Sequence, residues 1–91
     1  MNDKDTELMK VAYPSVFGER FYFECGDGWT ELIKDIAQFI VSKTDKCHAT
    51  QVKEKFGGLR FYLDQGGDDY IYILIKEAES KSVITCEDCG T

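Results

Sequence analysis

Cys86 and Cys89, in the string CEDCG, are the residues at which this chain most openly offers chemistry. A gap of two residues aims two thiolates at one point, which is half of a tetrahedral zinc site. No second pair of that spacing follows it. The remaining soft donors are Cys25 and the neighbours Cys47 and His48, which stand at no standard metal-ligand spacing. A zinc centre therefore requires the fold to collect distant residues. Two other readings stay open for the pair: a free terminal dithiol, or a redox couple lacking the helix start that usually activates such a thiol. Cys25 can equally be a small buried apolar residue.

His48 is the only histidine, and the sequence gives it neither a nearby nucleophile nor a recognisable acid partner. It reads as a surface or linker residue. G-x-S-x-G, the P-loop and H-E-x-x-H are all absent from the sequence, so no catalytic residue is assigned and a non-enzymatic role is expected. Asp64, Asp68 and Asp69 cluster around Gly66-Gly67 without the spacing of an EF-hand, so a solvated loop is expected there rather than a cation site.

The stretch QVKEKFGGLRFYL, residues 51–63, reads as two strands around a tight turn at Gly57-Gly58. With those two glycines as the loop, Phe56 faces Leu59, Lys55 faces Arg60, Glu54 faces Phe61, Lys53 faces Tyr62 and Val52 faces Leu63. Alternation then puts Val52, Phe56, Leu59, Phe61 and Leu63 on one face together with Glu54. Lys53, Lys55, Arg60 and Tyr62 share the other. That second face is a candidate binding surface, basic and aromatic in a chain of net charge −6. Glu54 must bond a backbone group or a lysine, or lie at the sheet rim, because an unpaired carboxylate on an apolar face is costly.

Three helical patterns position these residues. Asp5 or Thr6 can cap a first helix over about 6–12 with Leu8, Met9, Val11 and Ala12 as its apolar positions, stopped by Pro14. Phe21 and Phe23 alternate with Tyr22 and Glu24 in a short extended segment that ends at Gly26-Asp27-Gly28. Trp29, Leu32, Ile33, Ile36, Phe39 and Ile40 form one broad stripe, a second helix over about 28–43. YIYILIK, residues 70–76, is rich in β-branched and aromatic residues, yet Ile71, Leu74, Ile75 and Ala78 keep helical spacing, so a third helix is expected over about 69–82. Val83, Ile84 and Thr85 suggest a short edge strand. The order implies an α+β fold, a small antiparallel sheet containing the hairpin (about 50–63) against two to three helices.

Ninety-one residues suit a single compact domain over 1–91, with 86–91 as half a zinc knuckle or a frayed tail. The acidic balance argues against general nucleic-acid binding and permits a basic partner or a surface that imitates a phosphate backbone. No apolar run approaches the roughly 20 residues of a membrane span. The start MNDKDTELMK has no secretory character, so a cytoplasmic location without disulfides is the expectation.

ECGDGW (24–29) before an amphipathic helix, QVKEKFGGLRFY (51–62) and the tail A-E-x-x-S-x-x-x-C-E-x-C-G (78–90) together resemble a small family found in bacteria and their phages or prophages. The resemblance spans about residues 14–91. Longer members continue past CG to a second cysteine-containing segment that would complete a zinc-ribbon-like site. In that context a small acidic chain with no catalytic constellation and an exposed-looking hairpin is expected to be a phage or prophage accessory protein acting in the host cytoplasm by binding a host protein, for instance to inhibit a defence system in the manner of an anti-CRISPR. Lys53, Lys55, Arg60, Tyr62 and Glu54 would be the binding residues. The alternative is a zinc-knuckle module associated with nucleic acid. A homodimer could pair two CEDCG knuckles around one metal.

Overall fold

The computed structural model describes residues 1–64 and 68–91. It is an α+β fold in which three helices and one antiparallel hairpin pack around a common core. The elements are α1 (Asp3–Ala12), a 3₁₀ turn (Asp27–Trp29), α2 (Thr30–Lys43), β1 (Ala49–Lys55), β2 (Gly58–Leu63) and α3 (Asp69–Val83). One core cluster joins them, with Phe17, Trp29, Ile33, Ile36, Ile40, Val52, Leu59, Phe61 and Ile71 among its members.

Each helix follows from its own pattern. In α2 Ile33, Ile36 and Ile40 of the expected stripe are buried together with Ala37, while Leu32 and Phe39 are partly buried against the core. In α3 they are Ile71, Ile75, Ala78 and Ser82, so the helical spacing prevails over the β propensity of YIYILIK. The Asp68 carboxylate caps α3 by accepting the Ile71 N–H at 2.9 Å. Helix α1 starts earlier than expected because Asn2, rather than Asp5 or Thr6, is its cap and accepts the Asp5 N–H at 2.7 Å. Of the apolar positions assigned to α1 only Met9 is buried, and Leu8 and Val11 face solvent. The expected edge strand at Val83–Thr85 does not form. Val83 ends α3, Ile84 is its C-cap, and the N–H groups of Ile84 and Thr85 bond back to Lys81 and Ser82.

The hairpin pairs in a different register from the expected one. Lys55 faces Gly58, Glu54 faces Leu59, Lys53 faces Arg60, Val52 faces Phe61 and Gln51 faces Tyr62, with an irregularity before Ala49↔Leu63. The loop is thus Phe56-Gly57, at φ +54° and +80°, the positive pair of a type I′ turn. Gly57 takes the second loop position, where that turn most favours glycine, and Gly58 becomes the first strand residue. The displacement is an even number of residues, and strand side chains alternate with a period of two. Both faces therefore survive it, except that Phe56 leaves the apolar face and becomes 90% exposed at the tip.

Two strands alone are marginal, and an open edge invites other chains. Here both edges are occupied. On the β2 side, α3 supplies Ser82 Oγ to the Leu59 N–H (2.8 Å) and Glu79 Oε2 to the Phe61 N–H (3.1 Å). The Ser82 hydroxyl in turn donates to the Glu79 carbonyl. On the β1 side, Glu24 makes a parallel bridge, donating its N–H to the Val52 carbonyl at 2.9 Å and accepting the Glu54 N–H at 3.0 Å. The extended segment expected at Phe21–Glu24 is reduced to that single bridge.

Candidate functional site

The outer face of the hairpin carries the residues expected to bind. Lys53 Nζ lies 5.8 Å from the Tyr62 ring centroid, and Lys55 Nζ lies 5.6 Å from that of Phe56. Arg60 Nη1 bonds the Leu59 carbonyl at 3.0 Å. Like charges still oppose each other, as Lys53 and Arg60 rather than Lys55 and Arg60, because the register moved. The ion pairs among the described residues are Lys10–Glu7 and His48–Asp64, so no carboxylate neutralises Lys53, Lys55 or Arg60 there. Glu54 resolves its position by accepting the Gly57 N–H at 2.6 Å, which braces the turn.

The surface continues beyond the hairpin onto α3. A methyl group placed on Gly58 would lie 3.2 Å from Arg60 Nη1 and 3.6 Å from Val83 Cγ2, so the end of α3 abuts the base of the turn. Val83 is 69% exposed and the following Ile84 is 83% exposed. Phe56 at the hairpin tip, beside Lys55, and Val83 at its base, near Arg60, are thus exposed apolar groups next to cations, and Ile84 follows Val83 in the chain. Val83 and Ile84 escaped notice in the sequence because they read as strand.

The CEDCG turn is seated on the ECGDGW segment. Gly26 donates its N–H to the Glu87 carboxylate at 2.8 Å, Gly28 donates to the Glu87 carbonyl, and the Trp29 indole N–H reaches the Thr85 carbonyl at 3.0 Å. Both glycines are needed for closeness: a Cβ on Gly26 would meet the Glu87 carbonyl oxygen at 2.5 Å, and one on Gly28 would overlap the Cys86 carbonyl oxygen. The N-terminal ammonium of Met1 bonds the Cys25 carbonyl, and the Asn2 N–H reaches Asp27 Oδ1 at 2.6 Å. The Asn2 N–H holds the Asp27 carboxyl below its usual range, helped by the Asn2 side chain. Nothing in the spacing of the two motifs announced that they meet.

The donors considered for zinc are dispersed. Among the described residues no group of three or more His, Cys, Asp or Glu is placed to hold one metal ion. Cys86 and Cys89 are exposed, whereas Cys25 and Cys47 are buried. Burial pushes the Cys25 thiol up to about 11, with Glu87 and Asp27 adding to the rise and the N-terminal ammonium opposing it. Burial also raises Cys47, aided by the charges of Asp64 and Asp68. His48 is no free linker residue. Its Nδ1 lies 2.9 Å from Asp64 Oδ2, its N–H donates to Asp64 Oδ1 at 3.0 Å, and Asp64 returns its own N–H to the His48 carbonyl. Asp68 is engaged as the cap of α3, and Gly66-Gly67 of the acidic cluster lie outside the described residues.

No helix among the described residues is long and apolar enough to cross a membrane. No protein-family model, curated protein or solved structure matches the chain.

Proposed function

We propose that this chain is a non-catalytic binding domain that docks its hairpin tip on an acidic, partly apolar surface of another protein. The observation that carries the reading is Phe56. A bulky L-residue at φ +54° costs about 1–2 kcal/mol relative to an ordinary backbone. The ring gains no burial in return, since it is 90% exposed. Asn or Gly would suit the turn better, and a polar residue would suit solvent better. A residue that serves neither the turn nor the core is where a binding role is expected, since backbone strain concentrates at functional positions. Aromatic anchors with basic neighbours also dominate many interfaces. Lys55 and Arg60 set the charge of the partner, and Val83 and Ile84 extend the apolar contact.

The partner we propose is a host protein, the setting that the resemblance to a phage and prophage family suggests, with inhibition of a defence component as one such role. The test is capture from host lysate by wild type, Phe56→Asn and the double variant Lys55→Glu/Arg60→Glu, followed by titration with the purified candidate. A partner held by wild type and lost by both variants, with all three equally folded, supports the reading. A partner retained by both variants overturns it. So does salt-sensitive binding of single-stranded nucleic acid in place of a protein, or concentration-dependent self-association through the same residues.

A further inference from the structure

We propose that Cys86 and Cys89 form a redox-active dithiol that exchanges with low-molecular-weight disulfides of the glutathione type. These two thiols are exposed, while Cys25 and Cys47 are shut in the core, so an external disulfide can reach one pair. The turn already folds the pair together. Gly90 donates its N–H to the Cys86 carbonyl at 2.8 Å and Cys86 donates to the Thr91 carbonyl at 2.6 Å, closing a single helix-like turn. Residues three apart on such a turn face the same side with Cβ atoms about 5–6 Å apart, and a disulfide needs about 3.5–4.5 Å. The remaining closure is small, and Gly90, at φ +81°, lies next to Cys89 to absorb it.

The environment separates the roles of the two sulfurs. Cys89 Sγ lies 3.1 Å from the Thr91 hydroxyl. That hydroxyl, the Cys86 thiol and the Thr91 backbone hold the Cys89 thiol below its ordinary range, with the Asp88 charge opposing them. Cys89 is therefore the attacking thiolate and Cys86 the resolving thiol. In the first step the Cys89 thiolate bonds to one sulfur of the small disulfide, whose S–S bond breaks and releases one thiolate. In the second, Cys86 gives up its proton and bonds to Cys89 Sγ, expelling the other small thiolate. Two protein thiols are oxidised, one external disulfide is reduced to two thiols, and the protons from Cys86 and Cys89 end on the released sulfurs. The seat of the turn does not depend on either sulfur. Glu87 holds it through its carboxylate and carbonyl, so oxidation leaves the anchor on Gly26 and Gly28 in place.

The test equilibrates the folded chain, with a metal chelator present, in buffers of graded reduced to oxidised glutathione, then blocks free thiols and maps them by mass. The expected oxidised product has lost two of its four free thiols, Cys86 and Cys89, within one chain. Cys86→Ser is expected to trap a glutathione adduct on Cys89, and Cys89→Ser to accumulate far less adduct on Cys86. Thermal melts confirm that both variants fold. Four thiols persisting at the oxidising end overturn the proposal. Disulfides formed only between chains overturn it too, and so does a pair that reacts only after the chelator strips a metal from it.

Discussion

Replacing Phe56 by Asn tests whether the hairpin tip is strained for a reason other than folding. Asn tolerates the left-handed region far better than Phe, so relief of the φ +54° backbone recovers part of about 1–2 kcal/mol. The loss is the contact of Lys55 with the ring, 5.6 Å to the centroid and exposed, about 0.5–1 kcal/mol. Little burial is forfeited, because the ring is 90% exposed. The net is a stabilisation of up to about 1 kcal/mol, which for a domain of this size raises Tm by at most roughly 4–8 °C. Phe56→Ala separates the two contributions: it keeps the backbone cost and loses the ring, so its Tm should fall slightly below wild type. Calorimetry on the three proteins should therefore rank Asn above Phe above Ala. Binding should rank otherwise, with Phe alone retaining full affinity and both variants losing about 2 kcal/mol or more if the ring anchors the interface. A Phe56→Asn protein that melts below wild type would refute the reasoning, since the ring would then belong to the fold.

The other perturbations address the framework. Gly28→Ala places a Cβ against the Cys86 carbonyl and the Gly90 N–H, backbone atoms that cannot swing away. It should destabilise by about 1–3 kcal/mol, read by urea unfolding, whereas Gly18→Ala, with nothing within 4 Å, serves as the neutral control. Ser82→Ala leaves the Leu59 N–H without its acceptor inside the core, at a cost of about 1–3 kcal/mol, and should speed hydrogen exchange at that amide before its neighbours. Cys25 keeps its proton more tightly folded than unfolded, with the folded thiol raised to about 11 from 9.0. Its contribution to stability is complete below the unfolded value and is lost as pH rises from 9.0 to about 11. Cys25→Ala should flatten the alkaline decline of the urea midpoint in that window, partially, because Cys47 is raised in the same direction.

The helices were legible because burial needs a periodic stripe. Ile33, Ile36 and Ile40, and Ile71, Ile75 and Ala78, carry that stripe openly. The two faces of the hairpin were legible for a similar reason, since alternation survives an even displacement. The register was not legible. Phe56-Gly57 and Gly57-Gly58 are both two-residue loops, and the choice between them is made by contacts remote in sequence: Ser82 on Leu59, Glu24 between Val52 and Glu54, and Val83 beside Gly58. The candidate site suffered the same way. Lys53, Lys55, Arg60 and Tyr62 were visible as a face, but Phe56 had been placed inside, and Val83 and Ile84 in a strand. The seat of CEDCG on Gly26 and Gly28 rests on backbone groups, which no pattern of side chains encodes.

These contacts explain why exposed apolar residues can stand at the hairpin tip without the sheet itself becoming the interface. The Leu59 and Phe61 amides are already bound by α3, and the β1 edge is bound by Glu24, so a partner cannot extend the sheet by adding a strand there. What stays available beside them is side chain: the Phe56 ring with Lys55 over it, Val83 at the base of the turn near Arg60, and the exposed Ile84 after it. Recognition through side chains on a closed sheet depends on shape and charge rather than on main-chain pairing. Charge reversal at Lys55 and Arg60 should therefore reduce the rate of association and its salt dependence, while Phe56→Asn should act on the rate of dissociation. Identical effects on both rates from the two kinds of variant would mean that the tip is one rigid contact with no division between steering and anchoring.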